Sequence, residues 1–358
     1  MPKKPALTAL LLIALTVSAL ADGDTRASRL RSEGIDIFSF QPIMWAHSSR
    51  TLAGYDRPTL EEKKKGIFFR LWFLDFTVDG QLEKTRWVPL SIPNFEQASF
   101  SPDDTKVLIV SNAGTQVVSV DTTTLQVSDV MKYEKGVPGF RVQPPVMWTC
   151  NGQLLTLGHI YDSQRFADFQ SIAKVDPYKT GVDAFTPVRQ IFRFERSIPG
   201  IEFLIYPSDH LAFFTRKVGE ESVLATWDGT DKRDIDRAPR FNGYWAETSK
   251  LFYSANRPDG TCDLIVYDAL DGTSYKCASG PTPYRYLFMS GDGSTGLACQ
   301  IDNVSQRMDV FVCREKDGFK AQPVPALKGT KVGWLRISED GRYAASFTER
   351  GLAVVELP

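Results

Sequence analysis

His47, His159 and His210 are the three histidines of a 358-residue chain, and they stand far apart. None sits in the His-Glu-x-x-His spacing that places two imidazoles on one helix face around zinc. Each is expected in a turn or loop, not as a metal ligand. Asp103 and Asp104 are adjacent carboxylates, a pairing that could serve acid–base work. They fall in Phe100-Ser101-Pro102-Asp103-Asp104, which reads as a tight turn, and there an aspartate caps backbone N–H groups. No Gly-x-Ser-x-Gly is present to build a nucleophile elbow. Gly291 to Gly296 is glycine-rich but lacks the Lys-Ser/Thr ending of a phosphate loop and lies between two strands, not before a helix. Ser-Ile-Pro-x-x-Glu occurs twice, at Ser91–Glu96 and Ser197–Glu202, and gives one carboxylate pair at matching positions, Glu96 and Glu202. No cofactor or metal is expected.

The five cysteines are Cys150, Cys262, Cys277, Cys299 and Cys313. Cys262 and Cys277 flank the Asp271-Gly272 turn, and Cys299 and Cys313 flank a polar turn around Asn303–Arg307. Each pair is nearly symmetric about its turn, so two hairpin disulfides are candidates, with Cys150 left over. The alternative is five buried thiols packed as small apolar residues. Zinc is disfavoured by the lack of any Cys-x-x-Cys.

The elements that would position these residues repeat along the chain. A strand ends in a large apolar residue, a small polar turn follows, and a second strand begins. The copies start at Trp45, Phe100, Trp148, Tyr206, Trp245, Phe288 and Ile337. A β-rich run follows, such as Val107–Val110 or Leu251–Tyr253. A third run tends to end in an acid, as at Asp121, Asp228 and Asp268. Asp-Gly recurs, for instance at Asp259-Gly260 and Asp292-Gly293, and marks tight turns because glycine accepts φ > 0. Four short strands per unit of about 40–50 residues predict an all-β single propeller. Seven four-stranded blades are expected, with six or eight as alternatives. Helical periodicity is confined to Thr59–Lys65. Long loops are expected at Asp56–Gly66 and His159–Gln170. The last copy has only three strands, and Ile35–Phe40 is free to supply the fourth and close the ring.

The N-terminus reads as a secretory signal peptide over residues 1–21: Lys3 and Lys4, then an uncharged apolar run, then Ala19-Leu20-Ala21 before the cut. That run is too short to span a bilayer. Residues 22–34 form a short polar linker, and 35–358 the propeller. A periplasmic or secreted location is expected. Net charge is −1, and removing Lys3 and Lys4 makes it more negative. No basic stripe is present, so nucleic acid is excluded as an expected partner.

Phe100–Val107 followed by Val118-Ser119-Val120-Asp121 resembles the WD-like repeat of TolB-type propellers, and Ser254–Asp268 resembles it more closely. The resemblance is one of fold and covers most of residues 38–358. TolB-type proteins have an additional N-terminal domain and usually six blades. The resemblance implies an exported scaffold for protein contacts, and it carries no catalytic motif. The expectation is a protein-interaction or ligand-binding scaffold with a partner in the cell envelope or outside the cell. The alternatives are a channel-site enzyme of lactonase, lyase or glycosidase type, and a carbohydrate-binding protein. The working surface is expected on the face of the loops leading into the innermost strands, which carry Glu96, Arg141, Glu202, Tyr244, Arg285, Tyr286, Trp334 and Arg336. Aromatic and arginine side chains there suit binding hot spots. The opposite face, built from the short Ser/Asp/Gly turns, is expected to have little room for specificity.

Overall fold

The computed structural model describes residues 40–358 apart from Ser49 and 78–80, 112–115, 133–139, 149–153, 163–166, 176–184, 188–200, 209–210, 229–230, 332–334 and 349–350. Seven antiparallel sheets lie among the described residues. The first holds β1 (Gln41–Trp45), β2 (Thr51–Asp56), β3 (Phe69–Phe76) and β4 (Leu82–Leu90). The second holds β5 (Gln97–Phe100), β6 (Lys106–Ser111), β7 (Gln116–Asp121) and β8 (Val127–Lys132). The third runs β9 (Phe140–Trp148), β10 (Leu154–Asp162), β11 (Ala167–Val175) and β12 (Phe185–Pro187). The fourth runs β13 (Ile201–Ser208), β14 (Leu211–Val218), β15 (Glu221–Trp227) and β16 (Lys232–Ala238). The fifth runs β17 (Phe241–Glu247), β18 (Lys250–Asn256), β19 (Cys262–Asp268) and β20 (Thr273–Gly280). The sixth holds β21 (Tyr284–Met289), β22 (Thr295–Ile301), β23 (Arg307–Arg314) and β24 (Ala321–Pro323), with β25 (Thr330–Lys331) added on β23. The seventh has three strands, β26 (Leu335–Ile337), β27 (Tyr343–Thr348) and β28 (Gly351–Glu356).

In each sheet the strands follow chain order from the first outward. The first strands of successive sheets lie side by side, and β26 of the last lies beside β1 of the first. This is a β-propeller, with the first strands lining its channel.

Burial explains the sequence pattern. β6 and β18 are apolar and buried almost throughout because a neighbouring blade covers each face. The outer strand β20 is largely exposed, which is why its sequence reads as a poor strand. Core packing is between blades: Ala53, Leu71 and Phe73 of the first meet Phe100, Val107 and Ile109 of the second. Buried polar links tie the rest. The Arg70 Nε donates to Asp56 at 2.8 Å and the Trp72 indole to the same carboxylate at 2.9 Å. Arg257 clasps Asp236 of the preceding blade and Asp263 of its own.

Phe40 is buried between the first blade and Tyr343, Ala345, Leu352 and Val354 of the last. A β-carbon on Gly54 would come within 2.2 Å of its ring, so the close approach needs glycine. The rest of the expected closing strand, Ile35–Ser39, lies outside the described residues.

Thr59–Lys65 forms one short helix, α1 (Leu60–Lys64), with a Thr59/Glu62 capping box. Two expectations are corrected. His159–Gln170 is not a long loop: β10 and β11 pair in continuous register from Leu154 to Asp162, with His159 opposite Gln170. The polar ends of these strands extend the hairpin. The hairpin disulfides are also corrected, since Cys262, Cys277, Cys299 and Cys313 are free, buried thiols. Cys262 faces Gly280, and Cys277 sits in a bulge. Cys299 faces Val310 and Cys313 faces Gly296. Each pair is three positions out of register, about 10 Å along the strands, beyond the roughly 7 Å a bridge allows. The register centres between Leu270 and Asp271 in one hairpin and between Val304 and Ser305 in the other, off the midpoint of each cysteine pair, and a bulge adds one more position in the first. Cys277 instead meets Cys313 of the next blade in one core cluster. The hydrogen bond with Cys277, together with burial, holds the Cys313 thiol well above its usual range. Cys150 lies outside the described residues.

Candidate functional site

The channel turns share one construction. Ala46, Ser101, Ser290 and Ser338 each donate their backbone N–H at 2.8 Å to the carbonyl five residues on. In three of these turns the serine hydroxyl donates at 2.6 Å to an aspartate two residues on, Asp103, Asp292 or Asp340. The same hydroxyl accepts the N–H that opens the next strand. A turn fixed this way presents the residue after its serine or alanine at a constant place in each of these blades. Those residues are His47, Pro102, Gly291 and Glu339. In the fifth blade, where Ala246 pairs with Leu251, the residue is Glu247.

Three of the five are ionisable, and they converge. Burial, then the neighbouring Glu339 charge, pushes the Glu247 carboxyl up to about 8, with His47 acting the other way. Burial pushes Glu339 up to about 7; His47 opposes this, while Asp104, Asp292 and Asp340 add to it. His47 is raised above its ordinary value chiefly by its hydrogen bond to Asp104, Nδ1 to Oδ1 at 3.0 Å. Asp104 also accepts the backbone N–H of His47 and Ser48, each at 2.7 Å, so a turn of the second blade caps the turn of the first. Against the burial that would raise it, these bonds hold Asp104 low. Gly291 donates its N–H to the Glu339 carbonyl at 2.9 Å. A β-carbon on Gly291 would lie 2.1 Å from a Glu339 carboxyl oxygen, so the glycine makes the seat for that side chain.

Glu247 and Glu339 line a cavity of about 230 Å³ in the channel. Both are half-buried. Trp45, Trp245, Phe288 and Tyr55 also line it. Trp45 is 2% exposed, and its indole N–H has no partner. The Trp245 indole N–H lies close to the Glu247 carboxyl without completing a hydrogen bond. The volume corresponds to roughly seven waters, below the drug-sized range, and suits one side chain or a small ligand. Ionisable groups shifted toward neutrality in a cavity are a recurrent mark of functional sites. Among the described residues no group of three or more ligating side chains is arranged to hold a metal.

The expected residues divide. Glu96 and Arg336 line the same cavity. Arg336 lies 4.5 Å over the Phe288 ring and donates to the Ile43 and Leu335 carbonyls. Burial pushes it down to about 10. Tyr286 is 42% exposed, with φ of +48° at a bulge in β21, close enough to act on Arg336. Tyr244 packs against the core of the fifth blade, and Arg285 is exposed opposite Cys299. Arg141 stands opposite His159 in β9, and Glu202 in β13, two blades from Glu96; their side chains, like Trp334 and His210, lie outside the described residues. Glu247 and Glu339 were missed as a pair because they are 92 residues apart. Aligning the turn copies, which puts His47, Glu247 and Glu339 in one column, is the signal that finds them.

No family model matches the chain, and no curated protein matches it. Solved structures do. The C-terminal WD40 domain of Sif2 is similar at TM-score 0.52 and 11% identity, over 90% of this chain and 98% of that one. A puromycin-hydrolysing peptidase of Mycobacterium tuberculosis is similar at TM-score 0.58 and 9% identity, over 88% of this chain and 51% of that one. TolB from Acinetobacter baumannii aligns at TM-score 0.47 and 14% identity, over 78% of this chain and 64% of that one. At such identities the likeness speaks to architecture alone, and the architecture of this chain is a β-propeller.

Proposed function

We propose that this chain is an exported propeller that acts as a binding scaffold and engages its partner or ligand at the turn-side mouth of its channel. The observation that carries this reading is the meeting of Glu247 and Glu339, from the fifth and seventh blades, on one aromatic-walled cavity, with His47 of the first blade acting on both and Asp104 of the second acting on Glu339. Propeller likeness supports the scaffold role by analogy, and the N-terminal 1–21 pattern supports export. Among the described residues no helix is long and apolar enough to cross a membrane.

A photo-crosslinker at Ser48, on the turn side, is compared with one at Val304, which is 95% exposed on the loop between β22 and β23. The expected result is specific adducts from Ser48 that disappear in a Glu339→Arg variant. Adducts from Val304 alone would move the working surface to the opposite face. Mass spectrometry of the exported fraction should find Asp22 as the mature N-terminus; a retained Met1 would overturn export.

One observation favours a second reading, a hydrolase acting in the channel. Glu247 and Glu339 are two carboxyls on one cavity, both raised by burial, and glycoside hydrolysis uses a pair of carboxyls. Turnover of aryl glycosides that is lost in Glu247→Gln would favour it over binding.

A further inference from the structure

We propose that the cavity takes an organic cation, a primary ammonium or a guanidinium group, seated between Glu247 and Glu339 against the tryptophan wall. This rests on the binding reading above and names the chemistry of the group bound.

The first support is an electrostatic imbalance. The ionisable groups acting most strongly on the two carboxyls are Glu339 on Glu247, Asp104, Asp292 and Asp340 on Glu339, and His47 on both. His47 is the one base among them, and it is already bonded to Asp104. Glu247 and Glu339, with Glu96 beside them, therefore face a cavity whose one lining cation among the described residues is Arg336, already placed over the Phe288 ring and donating to the Ile43 and Leu335 carbonyls. Such carboxyls keep their protons when nothing neutralises them, and an entering cation supplies what is missing. The second support is the wall. Trp245 and Phe288 meet edge to face at 5.1 Å, and the protein's own Arg336 guanidinium already lies over the other ring of that pair. Aromatic faces attract cations, so the same lining suits a second one. Third, the indole N–H of Trp45 lacks a partner. An ammonium cannot accept from it, but a peptide carbonyl beside a basic side chain can. A lysine or arginine side chain of a partner polypeptide thus matches more of the cavity than a free amine.

Charge and proton are linked. A cation that binds ionised carboxylates displaces the proton Glu247 holds below about pH 8. Glu339, raised to about 7, contributes a further share, so binding releases protons at neutral pH and affinity rises with pH by about tenfold per unit for each proton displaced.

The test is titration calorimetry on the full mature chain, in buffers of different ionisation heat, with four probes. These are n-butylamine, Nα-acetyl-lysine N-methylamide, n-butanol as the neutral isostere and butyrate as the anion. The proposal expects both amines to bind with proton release, tightening from pH 6 to pH 8, and the alcohol and acid not to bind. Tighter binding of the lysine derivative than of butylamine assigns the cation to a polypeptide source; equal binding assigns it to a free amine. Glu247→Gln and Glu339→Gln, which keep side-chain shape, should each weaken binding about tenfold or more. Equal binding of butanol, or amine binding unchanged in the double glutamine variant, overturns the proposal. The wild-type pH series decides the matter even if a variant fails to fold: affinity that does not rise with pH also overturns it. If Ser48 crosslinks persist while no amine binds, the cation assignment falls and the scaffold reading stands.

Discussion

Glu247 carries a pH signature that follows from its place in the turn. Its folded value near 8 lies above the ordinary 4.5. The folded chain therefore holds an extra proton between those values, and stability falls as pH rises through that window. Glu247→Gln removes its share of that dependence, leaving those of Glu339 and His47. Thermal unfolding should show the variant more stable than wild type at pH 8, by at least the roughly 1.4 kcal/mol one pKa unit represents, and no different at pH 4. His47 acts in the same direction, because its raised value makes the bond to Asp104 strongest when the imidazole is charged. That contribution is complete below the ordinary 6.5 and is lost as pH rises through the folded value. Gly291→Ala probes the seat of Glu339 without touching a charge. The new β-carbon meets the mobile end of a side chain, so unfolding should change by under about 1 kcal/mol, while ligand affinity falls as the carboxyl moves.

At the scale of the element, the Ser-x-Asp turn is the unit that repeats. Ser338 donates to Asp340 and accepts from the Tyr343 N–H, holding the hairpin of β26 and β27 in register. Ser338→Ala leaves that buried N–H without its partner and should cost about 1–2 kcal/mol in denaturant unfolding. The latch between blades is separable. Asp104→Gly keeps the left-handed backbone at φ +57° and removes only the carboxylate that caps His47 and Ser48. A loss of about 1 kcal/mol is expected; no loss would mean that the turns hold each other by packing alone. Register also governs the thiols. Peptide mapping without reduction should find no 262–277 or 299–313 bridge, because both offsets are too long for the bond.

At the scale of the whole molecule, blade-to-blade packing and buried ion pairs set stability. Phe40 occupies the join between the first and last blades, so Phe40→Ala should cost about 3–5 kcal/mol. Deleting 22–39 while keeping Phe40 then measures what the remaining N-terminal residues add. A melting temperature unchanged by that deletion would refute closure of the last blade by Ile35–Phe40. Asp56→Ala takes both Asp56 hydrogen bonds from the buried Arg70, leaving it Glu62 at 3.9 Å, and should also cost about 3–5 kcal/mol, read from the same denaturant curves.

The sequence by itself determined the class of fold, since strand period, turn chemistry and the spacing of copies are local properties written in consecutive residues. It determined the short helix after Asp56, because the capping box lies within four residues, and it marked Glu96 and Arg336, which do reach the cavity. Only the tertiary structure decided the rest. Bulges shifted β19 against β20 and β21 against β22, and a bulge is a choice of packing that no hairpin sequence states. The meeting of Cys277 with Cys313, and of Glu247 with Glu339 and His47, depends on which blades stand side by side and on how the turns tilt toward the axis. The raised carboxyl values have the same origin. Desolvation is a property of surroundings, and the surroundings of Glu247 come from blades far away along the chain.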